Sequence, residues 1–370
     1  MVGVNEDVGF WAKLQPCLHR LHSLVSDGVT KATSFFILGI LIGVSAAGGI
    51  FSYLGANADV QASNVRVLKL GHALPNNHPV HTSLIEFKRI LAEKSGGRLK
   101  LEVFPSEQLG TESQCLEKVQ AGSLDICKAS TAPIGNFVPA YRIFSLPYLF
   151  RDEDHYWSVL NGDVGQEMLD VVSVRGDGSP SGLHGLGYFD SGSRSFYTVD
   201  PVRTVQDLEG KKIRVMNDPV AMDMVQAMGG SPTPLPFGEL YTSLKQGGVD
   251  GAENNPPSFE SSRHYEICKY YILDHHSRIP DLIVMSDMVW KTLTAQQQGW
   301  ITEAAAEASK YHRQLWKEET EACLGRLKKE GVTVYEPDDL QQFREKAAVI
   351  YSKHSDDVTS PLIKRIQEVQ

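Results

Sequence analysis

The sequence predicts an α/β protein of two lobes, each built on an open, mainly parallel sheet. Three observations carry this expectation. Two separate stretches, 65–127 and 212–250, alternate strand-like and helix-like patterns in a β-α-β rhythm. The helices in them carry their own start and stop residues. A chain of 370 residues, at a prior of roughly 100–200 per domain, makes about two bodies with cores of their own. With 42% hydrophobic and 22% charged residues, the composition excludes disordered, collagen-like and multispan membrane classes. The net charge is −9, without a block of like charge or a basic stripe interleaved with aromatics, which argues against a nucleic-acid partner.

The first element is not part of the fold. Residues 32–56, ATSFFILGILIGVSAAGGIFSYLGA, carry no charge, follow Lys31, and end at a small-x-small site, Ala56-Asn57-Ala58, ahead of Asp59. This reads as an export signal cleaved near Ala58. The alternative is a retained anchor, since about 20 apolar residues span a bilayer. Residues 1–58 hold three basic and three acidic side chains, so the net charge of −9 belongs to 59–370.

The exported body then opens on a strand candidate, VRVLKL (65–70). Pro79 starts a helix with Val80, Leu84, Phe87 and Leu91 on one face, stopped by Gly96-Gly97. LKLEV (99–103) alternates with period two, Thr111 with Gln114 forms a capping-box signature, and Asp125-Ile126-Cys127 begins the next strand. The second run repeats the scheme. A strand at 212–216 leads to a helix at 219–228, an extended piece broken by prolines at 231–236, and a helix at 239–246 that ends in Val249-Asp250. The segments QAGSLD (120–125) and QGGVD (246–250) echo one another, each closing a helix and opening a strand. Beyond Ser286 an Ala/Glu-rich helical pattern runs from Thr294 to about Lys328, long enough to reach across both lobes. A strand at 332–335 and a terminal helix from Asp338 close the chain.

Familiar catalytic signatures are missing. The sequence contains no G-x-S-x-G elbow, no phosphate loop and no H-E-x-x-H helix, and Gly182-Leu183-His184-Gly185 misses the dinucleotide spacing. Cys115, Cys127, Cys268 and Cys323 have no zinc spacing, so neither metal nor other cofactor is expected, and they read as buried thiols or one cross-linked pair. His78 with His81, and His275 with His276, read as helix-start or surface histidines.

What stands out is anion-binding chemistry. Arg194 lies in SGSRSF (191–196), Arg214 lies inside the otherwise apolar strand KIRVM (212–216), and Asn254-Asn255 follow a strand. A guanidinium meets a carboxylate with two parallel hydrogen bonds, and an amide both donates and accepts. An arginine in a buried strand needs an anion, either a ligand or an internal carboxylate such as Asp207, Glu209 or Asp218.

Read in order, 212–216, 234–247 (PLPFGELYTSLKQG) and 249–256 (VDGAENNP) resemble the solute-binding subunit of tripartite ATP-independent periplasmic (TRAP) transporters. So do GHALPNNHP (71–79), PSEQLG (105–110) and SLPYLF (145–150), so the likeness covers nearly all of the exported part. It implies two hinge-connected α/β lobes, a long helix spanning both, closure on one organic acid and no catalysis. The leader is longer than that family usually carries. The implied division is 1–58 leader, 59–190 first lobe, 191–280 second lobe, 281–320 return to the first lobe with the spanning helix, and 321–370 packed on the second lobe.

By the same resemblance Arg214 is the carboxylate clamp, Arg194 a second cation, Asn254 an amide contact and Phe237 the wall against the carbon skeleton. From the first lobe His72, Asn76 or Asn77, Glu112 and Ser130 would read the far end of the ligand. The wording of 194–198 and 253–258 resembles the branch that takes sugar acids such as glucuronate and galacturonate, with C4-dicarboxylates, sialic acid and aromatic acids as alternatives. A dicarboxylate would want a second cation opposite Arg214, and spacing leaves open whether Arg194 is that cation. The implied partners are the small and large TRAP membrane subunits and the implied location is the periplasm. An exported enzyme using His72 and Glu112 as an acid/base pair is the competing class.

Overall fold

Two sheets organise residues 65–370, the part of the chain that the computed structural model describes. In chain order the strands are β1 (Arg66–Gly71), β2 (Leu99–Phe104), β3 (Ile126–Ser130), β4 (Leu183–Phe189), β5 (Ser195–Thr198) and β6 (Lys212–Val215). They continue with β7 (Ser231–Pro234), β8 (Gly251–Asn254), β9 (Tyr270–Ile272), β10 (Asp281–Ser286) and β11 (Thr333–Tyr335). The α-helices are α1 (Pro79–Lys94), α2 (Glu112–Gln120), α3 (Thr131–Ile134), α4 (Glu153–Asn161), α5 (Asp163–Val171) and α6 (Pro219–Ala227). After them come α7 (Phe237–Lys245), α8 (Pro256–Ser261), α9 (Asp287–Trp290), α10 (Ala295–Lys329), α11 (Leu340–His354) and α12 (Thr359–Glu368). The export signal read at 32–56 lies outside the described residues.

The first sheet has the order β2-β1-β3-β10-β4 and the second β11-β9-β5-β8-β6-β7. Neighbours in each β-α-β run pair in parallel, β1 with β2 and β3, and β6 with β7 and β8. The antiparallel strands are the ones that arrive from the other lobe. β5 enters the second sheet from β4 and runs antiparallel to β8 and β9, and β10 returns to the first sheet antiparallel to β3 and β4. The strands therefore change sheets three times, after Phe189, after Ile272 and, through α10, between Ser286 and Thr333.

The sequence echo has a structural meaning. Asp125 accepts a hydrogen bond from the Lys69 amide at 2.8 Å, and Asp250 accepts one from the Lys212 amide at 2.7 Å. In each lobe the aspartate after a helix thus ties the incoming chain to the adjacent parallel strand. Gly122 and Gly247 hold the left-handed turns before them, at φ 71° and 69°.

Local signals set the helix ends. Thr111 with Gln114 and Thr294 with Gln297 form reciprocal capping boxes. Pro79 occupies the first position of α1 behind His78, whose Nδ1 accepts from the Val80 amide at 3.1 Å. Helix α10 is about 50 Å long at 1.5 Å per residue. Its Ile301, Ala304, Ala305 and Ala308 pack with the first-lobe core, and Cys323 and Leu327 with the second, so one helix is buried against both lobes.

Among the departures from the sequence reading, three bear on how the lobes are built. β4 and β10 were not predicted, although they complete the first sheet. β4 (LHGLGYF) contains two glycines that imitate a loop, but a side chain at Gly185 would lie 2.8 Å from the Leu169 carbonyl oxygen, so close packing against α5 requires glycine there. β10 (DLIVMS) is buried at every position, and such a run shows no alternation to detect. The C-terminus also differs from the expectation that 321–370 packs on the second lobe. α11 lies against α6, but α12 returns to first-lobe elements: His155 Nε2 contacts the Ile366 carbonyl at 2.8 Å, and Arg365 pairs with Glu167 at 2.7 Å. Leu362, Ile363 and Ile366 form the buried apolar face of α12 and join the core cluster.

Candidate ligand-binding site

Arg214 defines the site. It stands on β6 and is 2% exposed, and burial pulls its pKa down. No carboxylate pairs with it among the described residues: Nε and Nη2 donate to the Leu235 carbonyl at 2.9 and 2.7 Å, and Nη1 has no partner. Of the internal anions considered from sequence, Asp207 caps Thr204, and Asp218 accepts from the Val220 amide at 3.0 Å. Desolvating a cation without an anion is expensive, so Arg214 carries a cost that its contacts among the described residues do not offset.

Arg194 is used differently. Its Nε and Nη2 form a two-bond fork with Glu253 at 2.5 and 2.9 Å, and Nη1 donates to Asn254 Oδ1 at 2.9 Å. Burial alone would raise the Glu253 pKa, but Arg194 and His276 hold it down to about 2. Burial opposes charge on His276, yet Asp274 at 2.7 Å and Glu253 keep its pKa up at about 9. The chain Arg194–Glu253–His276–Asp274 is buried throughout and ties the crossing segments together. It is electrically neutral, so Arg194 brings no net positive charge to the cavity beside Arg214.

Around these cations lie the remaining walls. Asn254 Oδ1 is taken up by Arg194 and the Asn255 amide, leaving its Nδ2 donors without a partner among the described residues. Asn255, rather than Asn254, caps α8 by accepting from the Ser258 amide at 2.8 Å. The half-buried Phe237 ring has its centroid 5.8 Å from the Arg214 guanidinium. Trp316 of α10 closes one side, its ring tilted at 45° to that of His78 with centroids 5.7 Å apart, and packed so tightly on Gly192 that a side chain there would meet Nε1 at 2.9 Å.

The first lobe supplies a charged floor. Lys128, in the middle of β3, lies 3.1 Å from Glu112 Oε1 and 3.0 Å from Asp281 Oδ2, and Glu112 Oε1 also accepts from the Ser130 amide at 3.3 Å. Burial works against the ammonium, but both carboxylates overcome it and raise its pKa, so Lys128 stays charged. Of the residues expected from sequence, Arg214, Arg194, Asn254, Phe237, Glu112 and Ser130 line one cavity. Asn77 and Asn76 do not: both are exposed, and the neighbouring His78 lines the cavity instead because it caps α1 pointing inward. His72 is buried outside the lining, with Nε2 3.0 Å from His81 Nδ1, and burial pushes its pKa down to about 3. Lys128, Asp281 and Trp316 were missed. Lys128 carried the same signal as Arg214, a lone cation in an apolar strand.

The cavity has two chambers. The inner one has a volume of about 40 Å³. The outer one, of about 340 Å³, shares Glu112, Arg214, Met216 and Phe237 with it. Contacts between lobes bridge the surroundings: His78 Nε2 to Ser258 Oγ at 3.1 Å, the Gly238 amide to Glu107 at 3.1 Å, and Asn136 Nδ2 to the Asn217 carbonyl at 2.7 Å. Among the described residues no cluster of His, Cys, Asp and Glu is arranged for a metal, and no helix is long and apolar enough to cross a membrane. Cys115, Cys127, Cys268 and Cys323 are buried free thiols.

Two α/β lobes joined by crossing segments, with a buried guanidinium that no carboxylate pairs among the described residues, fit a solute-binding protein of the two-lobed type. The chain belongs to the bacterial extracellular solute-binding protein family 7, which it matches over residues 70–357. It is 37% identical over 280 residues to a solute-binding protein of Chromohalobacter salexigens, covering 75% of this chain and 82% of that one. Among solved structures it is similar to a TRAP periplasmic solute-binding protein of a Bradyrhizobium species in complex with α/β-D-galacturonate. That match has a TM-score of 0.78 and 39% identity, over 82% of this chain and all of the other. A second, from Chromohalobacter salexigens with bound D-glucuronate, has a TM-score of 0.78 and 35% identity over the same shares.

Proposed function

We propose that this protein captures a sugar acid, a hexuronate of the glucuronate or galacturonate kind, between its lobes outside the cytoplasm and presents it to a TRAP-type membrane permease. The observation that carries the reading is Arg214, a buried guanidinium whose Nη1 has no partner among the described residues. The carboxylate of the ligand completes that fork, with the Asn254 amide donating beside it and Phe237 flanking the carbon skeleton. Glu112 and Ser130 meet the sugar hydroxyls, each of which needs a partner once water is excluded. Galacturonate and glucuronate in the two similar structures support this ligand class.

The role is capture without turnover. His72 lies outside the cavity lining, which counts against the acid/base pair that an enzyme reading needs. Closure links occupancy to a shape that a membrane partner recognises. Residues 32–56 supply the export signal, and the periplasm is where the body acts. A thermal-shift panel of uronates, C4-dicarboxylates, sialic acid and aromatic acids, with recovery of each ligand after incubation, tests this. A uronate at about 100 times its Kd adds about 2.7 kcal/mol of stability and is recovered unchanged. Stabilisation by other acids alone, or recovery of a product, contradicts it.

A further inference from the structure

We infer that the Lys128–Glu112–Asp281 cluster makes the first-lobe end of the cavity a reader of neutral hydroxyls that turns away any ligand with a second carboxylate. The inference rests on the proposed sugar-acid reading and deepens it. Lys128 is 3% exposed on its side chain and spends two of its three ammonium hydrogens on Glu112 and Asp281. One donor is left, together with two acceptors, because Asp281 Oδ1 and Glu112 Oε2 have no hydrogen-bond partner among the described residues. One donor between two acceptors suits a hydroxyl, which accepts from the ammonium and donates to a carboxylate.

The charge balance decides the selectivity. Burial raises the Asp281 pKa and Lys128 works against that rise. With both carboxylates ionised, one ammonium against two leaves this wall at −1, and all three groups line the same cavity as Arg214. The second-lobe wall carries the guanidinium of Arg214, which no carboxylate pairs among the described residues, whereas Arg194 is neutralised by Glu253. The second-lobe wall of the cavity is thus positive and the first-lobe wall negative. A ligand with one carboxylate and a hydroxyl-bearing far end matches both. An aldarate, the sugar acid with carboxylates at both ends, would set its second carboxylate against two acceptors that cannot donate to it. Rejection by unpaired and like-charged groups is how such a site discriminates.

The test is calorimetry of the wild-type protein, Glu112→Gln and Asp281→Asn with D-galacturonate and with galactarate. The wild type is expected to bind galacturonate at least about 100-fold more tightly than galactarate. Either substitution removes one negative charge and leaves an amide that can donate, so galactarate binding should rise at least about tenfold over wild type. A gain of binding cannot come from misfolding, and two variants keep the test open if one folds poorly. Equal wild-type affinities, or no gain for galactarate in a folded variant, overturn the inference while leaving the uronate reading standing. Absence of galacturonate binding in the wild type overturns both.

Discussion

Replacing Arg214 by methionine separates binding from folding. The side chain offers the ligand carboxylate a charge-assisted fork, and such bonds contribute about 1.5–3 kcal/mol each, so losing two costs about 3–6 kcal/mol. That weakens Kd by about 10²–10⁴. The unliganded protein should behave differently. The substitution frees the Leu235 carbonyl from two bonds, at 2.9 and 2.7 Å, which costs about 1–3 kcal/mol. It also removes a desolvated cation with no anion among the described residues, which returns a penalty of several kcal/mol. Unliganded Arg214→Met should therefore unfold in urea at or above the wild-type midpoint, while calorimetry with D-galacturonate shows binding lost. Retained affinity would refute the clamp. Loss of more than about 4 kcal/mol of ligand-free stability would refute the claim that the cation is held ready for a ligand.

The other arginine should respond in the opposite way. Arg194→Met strands Glu253 in the core, and breaking such a pair costs about 3–5 kcal/mol, so its urea midpoint should fall sharply even without ligand. Stability should also depend on pH with two limbs. His276 is raised from 6.5 to about 9, so its contribution is complete below pH 6.5 and disappears as pH rises through 9, up to about 3 kcal/mol. Glu253 is lowered from 4.5 to about 2, so its contribution is complete above pH 4.5 and disappears as pH falls through 2. Urea midpoints between pH 3 and 10 should show the alkaline limb in wild type and not in His276→Gln. Finally, Glu107→Ala removes the carboxylate that meets the Gly238 amide across the cleft, and at about 1 kcal/mol this should weaken ligand binding about fivefold through faster release, read by stopped-flow.

How much of this was legible in the sequence depends on how local the cause was. The capping box at Thr111, the start of α10 after Thr294, Pro79 at the start of α1 and the alternation of β2 are decided within a few residues, and all of them form. β10 and the return of α12 to the first lobe are decided by partners about 100 or more residues away, which no local pattern encodes. In the site, Arg214 announced itself because a charge in an apolar strand needs an explanation. Lys128 announced itself in the same way, but its explanation required Asp281, which lies 153 residues away. Asn77 was carried by resemblance into the cavity, and the backbone before α1 points His78 there instead.

The most direct test of the account compares two sugars that differ at one carbon. Calorimetry with D-galacturonate and with D-galactose asks whether the carboxylate is what Arg214 requires. The account predicts measurable binding of galacturonate, none of galactose, and none of either by Arg214→Met. Comparable affinity of the wild type for both sugars would contradict it, because a buried guanidinium without an anion cannot then be the centre of recognition.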